Sequence, residues 1–164
     1  MSEDLLHQAL EGAVEEVLER MFFTETLGDA LELEQSPAPP REDEIAVRVA
    51  FEGTPSGALT LRLTAAAARP IAADFLGEDQ DAVSDGQIHE VACELANMIC
   101  GSVLSRVESA ATFRLAKPQI VSGAETAEAE PAAAIHAVEI SNGNLTVMMT
   151  TERPACSPPA ESAS

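Results

Sequence analysis

The segment "EIAVRVAFEGTPSGALTLRLT", residues 44–64, contains two runs in which apolar and polar side chains alternate. Successive side chains of a β-strand point to opposite faces of a sheet, so each run predicts a strand with one buried face. The residues "TPSG" between the runs are typical of a turn. The segment therefore predicts an antiparallel hairpin. Its predicted buried face comprises Ile45, Val47, Val49, Phe51, Leu59, Leu61 and Leu63.

A second hairpin is predicted near the other end of the chain, in "AIHAVEISNGNLTVMMT", residues 134–150. Asn142 and Gly143 favour a two-residue turn because both tolerate a positive φ. Between the hairpins, "FRLAKPQIVSG", residues 113–123, is predicted to be extended, with Pro118 at an interruption or an edge.

Three helices are predicted, one before the first hairpin and two between that hairpin and the extended segment at residues 113–123. Apolar residues from Leu5 to Met21 recur every three or four positions, which indicates an amphipathic helix that ends near Gly28. A short helix is expected at "AAAARPIAADFLG", residues 65–77, with Pro70 in its first turn, and a long one from about Asp85 to Glu108. The predicted fold class is α+β, a mainly antiparallel sheet with two long helices packed on one face. We expect a single domain over residues 1–152, followed by a disordered tail over residues 153–164.

Charge and composition narrow the range of partners. The 164 residues have a formal net charge of −19, which would repel nucleic acid and anionic membranes. The acidic start "MSEDLLHQAL" has no apolar signal core, and no apolar stretch approaches the ~18 residues of a membrane span. Three cysteines without a CxxC pair favour a reducing compartment, with Cys93 and Cys100 as small core residues. A cytoplasmic protein is the expectation.

The long helix around "HEVACELANMICGSVLSR", residues 89–105, has a polar stripe. At about 100° per residue, Glu94 and Asn97 point outward side by side, one turn apart. Gly101 lies on the same stripe, although glycine costs about 1 kcal/mol in a helix, which suggests that something approaches closely there. Ordinary solvent-exposed helix surface is the competing interpretation. Glu90 and Ser105 share the stripe, and Met98 and Val91 border it.

These residues resemble the CheX/CheC family of chemotaxis phosphatases. In that family a Glu-x-x-Asn pair lies on a long helix, and a Pro-x-hydrophobic-hydrophobic-x-Gly segment follows. The match here is Glu94, Asn97, Met98, Ile99 and Gly101, then Pro118, Ile120, Val121 and Gly123. The likeness extends over most of residues 1–150. A single Glu-x-x-Asn resembles the CheX branch, because the CheC branch typically has two.

The resemblance implies an enzyme that hydrolyses the aspartyl phosphate of a CheY-like response-regulator receiver domain. Asn97 would orient the attacking water, and Glu94 would pair with the receiver lysine. Glu90, Met98, Gly101 and Ser105 are the expected partner-binding residues. No cofactor is expected to bind this chain, because the receiver domain supplies the Mg²⁺. The CheX branch also implies a homodimer.

Two other functions are considered. The Glu–Asn pair would equally serve a non-catalytic module that binds phosphorylated receiver domains, as a signalling adaptor or a flagellar-switch-like component. A metal-dependent enzyme built on His89, Glu90 and Glu94 is disfavoured, because "HEVACE" is not HExxH and His89 lies about 140° from Glu94 around the helix. His7 and His136 are predicted to be isolated, so no metal site is expected.

Overall fold

The computed structural model of the chain describes residues 3–31, 42–53, 56–107, 112–121 and 134–152. The tail predicted at residues 153–164 lies outside these residues. The helices are α1 (Glu3–Glu16, continued by a π-helical turn Val17–Met21), α2 (Ala65–Leu76) and α3 (Asp85–Val107). The strands are β1 (Gly28–Asp29), β2 (Glu44–Glu52), β3 (Ser56–Thr64), β4 (Arg114–Leu115), β5 (Gln119–Val121), β6 (Ala134–Ile140) and β7 (Gly143–Glu152).

The strands form one antiparallel sheet in the order β1-β6-β7-β3-β2-β4, with β5 also paired to β2. The first predicted hairpin is confirmed, with Val47 opposite Leu61 at the centre of β2 and β3. All seven residues of its predicted apolar face are buried. The second hairpin is confirmed as well, but its tip lies one residue earlier than predicted. Ile140 pairs with Gly143, and Asn142 in between has a φ of 70°.

The two long helices cover one face of this sheet, as predicted. Helix α1 packs beside α3, α1 lies against β6, and α3 lies against β2 and β3. Arg106 of α3 donates to Glu16 of α1 across the contact at 2.8 Å. Fully buried residues of both helices, such as Leu10 and Leu95, join the sheet residues in one core. The mixed α+β fold predicted from the sequence is therefore confirmed.

The predicted end of the first helix is wrong. The helix stops at Met21, and Gly28 begins an edge strand that pairs with β6. The apolar spacing continues through the π-helical turn. Phe23, just beyond the helix end, then adopts a left-handed φ of 54°, which the sequence did not predict because no glycine or proline lies there. Pro70 was also misplaced, since it lies inside α2 and not in its first turn. Within the residues described, no helix is both long and apolar enough to cross a lipid bilayer.

Candidate functional site

Helix α3 is held in register at its start by a reciprocal cap. The Ser84 hydroxyl accepts from the Gln87 backbone N–H at 3.1 Å, and the Gln87 side chain accepts from the Ser84 N–H at 2.9 Å. This capping box satisfies two backbone donors that a helix N-terminus leaves without partners. The 23-residue helix then presents the same face over its whole length, because its other side is fixed in the core.

The predicted polar stripe faces outward on α3. Glu90, Glu94 and Ser105 are exposed, and Asn97, Met98 and Gly101 are half-buried. A Cβ added to Gly101 would meet no atom within 4 Å, so this chain leaves open space above that turn. One detail of the helical wheel is wrong: Val91 was placed beside the stripe and is buried in the core.

Glu94 and Asn97 line one open cleft of about 480 Å³. The cleft lies between α3 and the segment that joins β4 to β5, where Lys117 and Pro118 form the other wall. Asn97 is half-buried, which restricts its amide to fewer rotamers than a fully exposed one would have. The residues that line the cleft are His89, Glu90, Cys93, Glu94, Asn97, Lys117 and Pro118.

Lys117 also lines the cleft, although it was not among the residues predicted from the sequence. It is the only lysine in the chain, and its side chain is exposed in the cleft that contains Asn97 and Glu94. The cleft thus combines one cation, Lys117, with the Glu90 and Glu94 carboxylates and the Asn97 amide, so Lys117 is the group in it that can bind an anion. Lys117 is far from α3 along the chain, so the sequence does not show that it shares a cleft with Asn97. Its position directly before Pro118, in the segment that resembles the family motif, could have drawn attention to it.

A second hollow lies beside the cleft along α3. It has a volume of about 330 Å³ and is lined by Phe75, Leu76, Gln87, Glu90, Val91 and Glu94. Glu90 and Glu94 therefore form a ridge between the two hollows. Phe75 and Leu76, from the end of α2, are partly exposed apolar side chains in the second one. An apolar wall beside a charged ridge suits contact with a protein surface.

Cys93 also lines the cleft. It is half-buried and packs against the core cluster, so it lies at the edge of the core and not fully inside it. Burial raises the pKa of the Cys93 thiol, the Glu90 carboxylate raises it further, and Lys117 acts in the opposite direction. The net direction is upward, so the group stays a thiol at neutral pH. Only the thiolate is an effective nucleophile, and the cleft is therefore poorly suited to cysteine-based phosphatase chemistry. Cys100 is fully buried, as predicted.

Residues 45–141 match the family model described as chemotaxis phosphatase CheX. The matched span includes the β2–β3 hairpin, all of α3 and both walls of the cleft. The chain belongs to the CheX family. No curated protein sequence matches it significantly.

Solved structures of CheX proteins share this fold. The chain is similar to chemotaxis protein CheX from Vibrio vulnificus, with a TM-score of 0.67 and 17% identity over 93% of this chain and 99% of that one. It is similar to CheX from Desulfovibrio desulfuricans, with a TM-score of 0.64 and 18% identity over 90% and 99%. A third match is a chain of the CheX–CheY–BeF3–Mg²⁺ complex from Borrelia burgdorferi, with a TM-score of 0.65 and 17% identity over 90% and 97%.

Proposed function

We propose that this protein hydrolyses the aspartyl phosphate of a CheY-like receiver domain, with α3 as the docking helix. Membership of the CheX family supports a phosphatase, and a related chain occurs in a CheX–CheY complex. The main observation behind the residue assignment is that Glu94 and Asn97 face outward and line the same cleft. Both side chains can therefore enter one pocket of a partner from a single helix.

The reaction needs a water molecule placed in line with the bond that breaks. Water attacks phosphorus, the bond to the aspartyl oxygen breaks with its electron pair, and the products are carboxylate, inorganic phosphate and a proton. The Asn97 amide can accept from and donate to that water, so it positions the water without acting as a strong base. The Mg²⁺ that neutralises charge in this chemistry belongs to the receiver domain, and no residue of this cleft is assigned to hold it.

Glu94 is the docking residue in this proposal. Its exposed carboxylate lies on the ridge between the two hollows, where a partner's lysine can approach from solvent. Glu90 extends the same ridge, and Phe75 and Leu76 provide apolar contact beside it. Charged groups at such a rim mainly fix orientation and association rate, so Glu94 sets the register that brings Asn97 to the phosphoryl group.

The test is the decay of a phosphorylated receiver domain, with Mg²⁺ present, in the presence of wild type, Asn97→Ala or Glu94→Ala. Asn97→Ala should reduce kcat by about 100-fold or more while binding persists, because it removes the group that orients water. Glu94→Ala should mainly raise KM. Glu15→Ala is the matched control, since Glu15 is an exposed carboxylate on α1, away from the cleft.

The same assay separates the two functions. If the phosphorylated receiver decays at the same rate with and without the wild-type protein, yet the protein binds it tightly, the protein is a non-catalytic binding module. Equal activity of Asn97→Ala and wild type would show that the phosphatase site lies elsewhere. Melting temperatures of all variants establish whether a loss of activity or binding comes from the missing side chain or from a destabilised fold.

Homodimerisation is also part of this proposal, inferred from the resemblance to the CheX branch. An antiparallel sheet with exposed edge strands offers unpaired backbone groups, which a second copy can cover. Sedimentation equilibrium at micromolar concentration should give twice the 17.2 kDa mass of one chain. A single species at the monomer mass would contradict the proposed dimer without affecting the assignment of the cleft.

A further inference from the structure

Three potential metal ligands converge outside the cleft of α3. They are Glu11 of α1, Asp29 of β1 and His136 of β6, and one ligand atom from each lies within 4.8 Å of the other two. His136 is only 1% exposed, whereas Asp29 is exposed at the surface. The group therefore has one buried imidazole and two carboxylates, contributed by three different elements of the fold.

The sheet register explains why two of these side chains share a face. Asp29 pairs with Val138, whose side chain belongs to the core beneath α1. Residues two apart on a strand point the same way, so His136 also faces α1. Backbone hydrogen bonds of 2.8 Å from Leu27 to Glu139 and from Ala30 to Ala137 hold β1 in this register.

Helix α1 supplies the third side chain and a nearby fourth. Glu11 is one helical turn after His7, and residues four apart lie on the same face of a helix. The His7 ring lies edge-on to the His136 ring, with the centroids 5.9 Å apart. The prediction that His7 and His136 are isolated is therefore wrong. The sequence could not show their contact, because it depends on α1 packing against β6.

We propose that Glu11, Asp29 and His136 form a binding site for a divalent transition-metal ion, with Zn²⁺ as the test ion. Imidazole nitrogen and carboxylate oxygen are ordinary zinc ligands, whereas Ca²⁺ and Mg²⁺ prefer oxygen alone. Tetrahedral ligands at ~2.05 Å from zinc are about 3.4 Å apart. The three ligand atoms, which lie within 4.8 Å of one another, must therefore approach by up to about 1.4 Å. A divalent cation would also offset two carboxylates in a chain of net charge −19.

The site would act on the fold and not on the phosphatase reaction. Strand β1 has two residues, and a shared ion would tie this edge strand and α1 to β6. Glu11 and Asp29 lie outside residues 45–141, so the family match does not account for the group. The inference revises the expectation that this chain binds no metal, and it is independent of the function proposed for Asn97.

The experiment is a titration of chelator-treated, full-length protein with ZnCl2 by calorimetry, without a receiver domain. Wild type should bind one Zn²⁺ per chain in this site, and saturating Zn²⁺ should raise the melting temperature by about 5 °C. Asp29→Asn and Glu11→Gln should each weaken binding by more than about tenfold, since even changes beyond the ligands cost roughly 10- to 100-fold. These two substitutions are used because His136 is buried and its replacement risks misfolding.

Matched controls separate this site from other zinc ligands in the chain. Glu15→Gln changes a carboxylate on the same helix, and Cys93→Ser and His89→Gln change potential ligands in the α3 cleft; all three should bind Zn²⁺ as wild type does. The proposal is overturned by any of three results. These are no saturable Zn²⁺ binding, binding that Asp29→Asn and Glu11→Gln leave unchanged, and binding that disappears with Cys93→Ser or His89→Gln.

Discussion

Asn97 and Lys117 line the same cleft from two different elements, one on α3 and the other between β4 and β5. The amide and the only lysine of the chain therefore face the same volume, which the phosphoryl group enters in the reaction proposed above. Glu94 is on the α3 wall of that volume. A docked receiver domain would meet an acid, an amide and a cation together, which extends the two-residue site predicted from the sequence.

Lys117→Met should lower kcat/KM for receiver dephosphorylation by about fivefold. The side chain is exposed, so its attraction for the phosphoryl group is screened and worth roughly 1 kcal/mol. The measurement is the rate of phosphate release at low ionic strength. Arg114→Met is the control, because Arg114 is an exposed cation on β4 that does not line the cleft. Equal losses for the two variants would mean that only overall charge matters.

Gly101→Ala should stabilise the protein by about 1 kcal/mol and weaken its docking to the receiver domain. An added methyl group meets nothing within 4 Å in this chain and gains helix propensity, but it occupies space that a partner helix or loop would approach. Gly86→Ala is a matched control on the same helix, since its Cβ would meet only Ser84 Oγ at 3.9 Å. Urea denaturation and receiver binding are measured for both variants.

The two glycine variants give a clear comparison. Both should show higher unfolding free energies, and only Gly101→Ala should show weaker binding. If both bind the receiver as wild type does, Gly101 is ordinary helix surface, which was the competing interpretation of the stripe.

The sequence predicted most of the fold because its main elements have strong local patterns. The large apolar residues of β2 and β3 alternate, so the core-facing side of each strand could be predicted residue by residue. The burial of Ala46, Ala58 and Arg62 on the other side did not follow from that pattern. The outward direction of Glu94 and Asn97 followed from helical geometry in the same way. Strand β1 could not be predicted, because it consists of Gly28 and Asp29, both exposed and both poor strand formers. It exists only through pairing with β6.

The missed parts of the site share one physical cause. Lys117 shares a cleft with Asn97, and His136 comes within 4.8 Å of Glu11, only after distant elements pack together. Periodicity reports which face of an element is buried, but it does not report which other element covers that face. Cys93 shows the same limit, since it packs against the core as predicted but also lines the cleft, which the periodicity could not show.

The free energy of unfolding should fall as the pH rises above about 8.5. Burial raises the pKa of Cys100 to about 12, whereas an exposed thiol titrates near ~8.5. Between these values the unfolded chain loses the proton and the folded chain keeps it, so stability is full below the lower pKa and is lost as the pH approaches the upper one. The slope is at most about 1.4 kcal/mol per pH unit for one proton.

Cys100→Ala isolates this effect. The variant should start less stable, because it leaves a small cavity in the core, but its unfolding free energy should decline less steeply between pH 8.5 and 11. Urea denaturation at intervals of one pH unit gives both curves, and Cys93 is present in both proteins. Parallel curves would show that Cys100 titrates in the fold as it does in the unfolded chain.

Glu44→Gln should cost about 3 kcal/mol of stability, because it leaves the buried guanidinium of Arg62 without a charged partner. Arg62 donates from Nη2 and Nε to one Glu44 oxygen at 2.7 and 3.2 Å, and the two side chains are only 7% and 16% exposed. Removing one partner of such a buried pair is more costly than replacing both. Arg62→Met in the same chain should therefore recover part of the loss, giving a coupling energy above about 1 kcal/mol in a double-mutant cycle.

Arg20→Met is the surface control: Arg20 pairs with Glu16 at 3.1 Å but is 76% exposed, and its loss should change stability by less than about 0.5 kcal/mol. If the stability losses of the two single variants simply add up in the double variant, the Glu44–Arg62 contact contributes no more than an exposed pair.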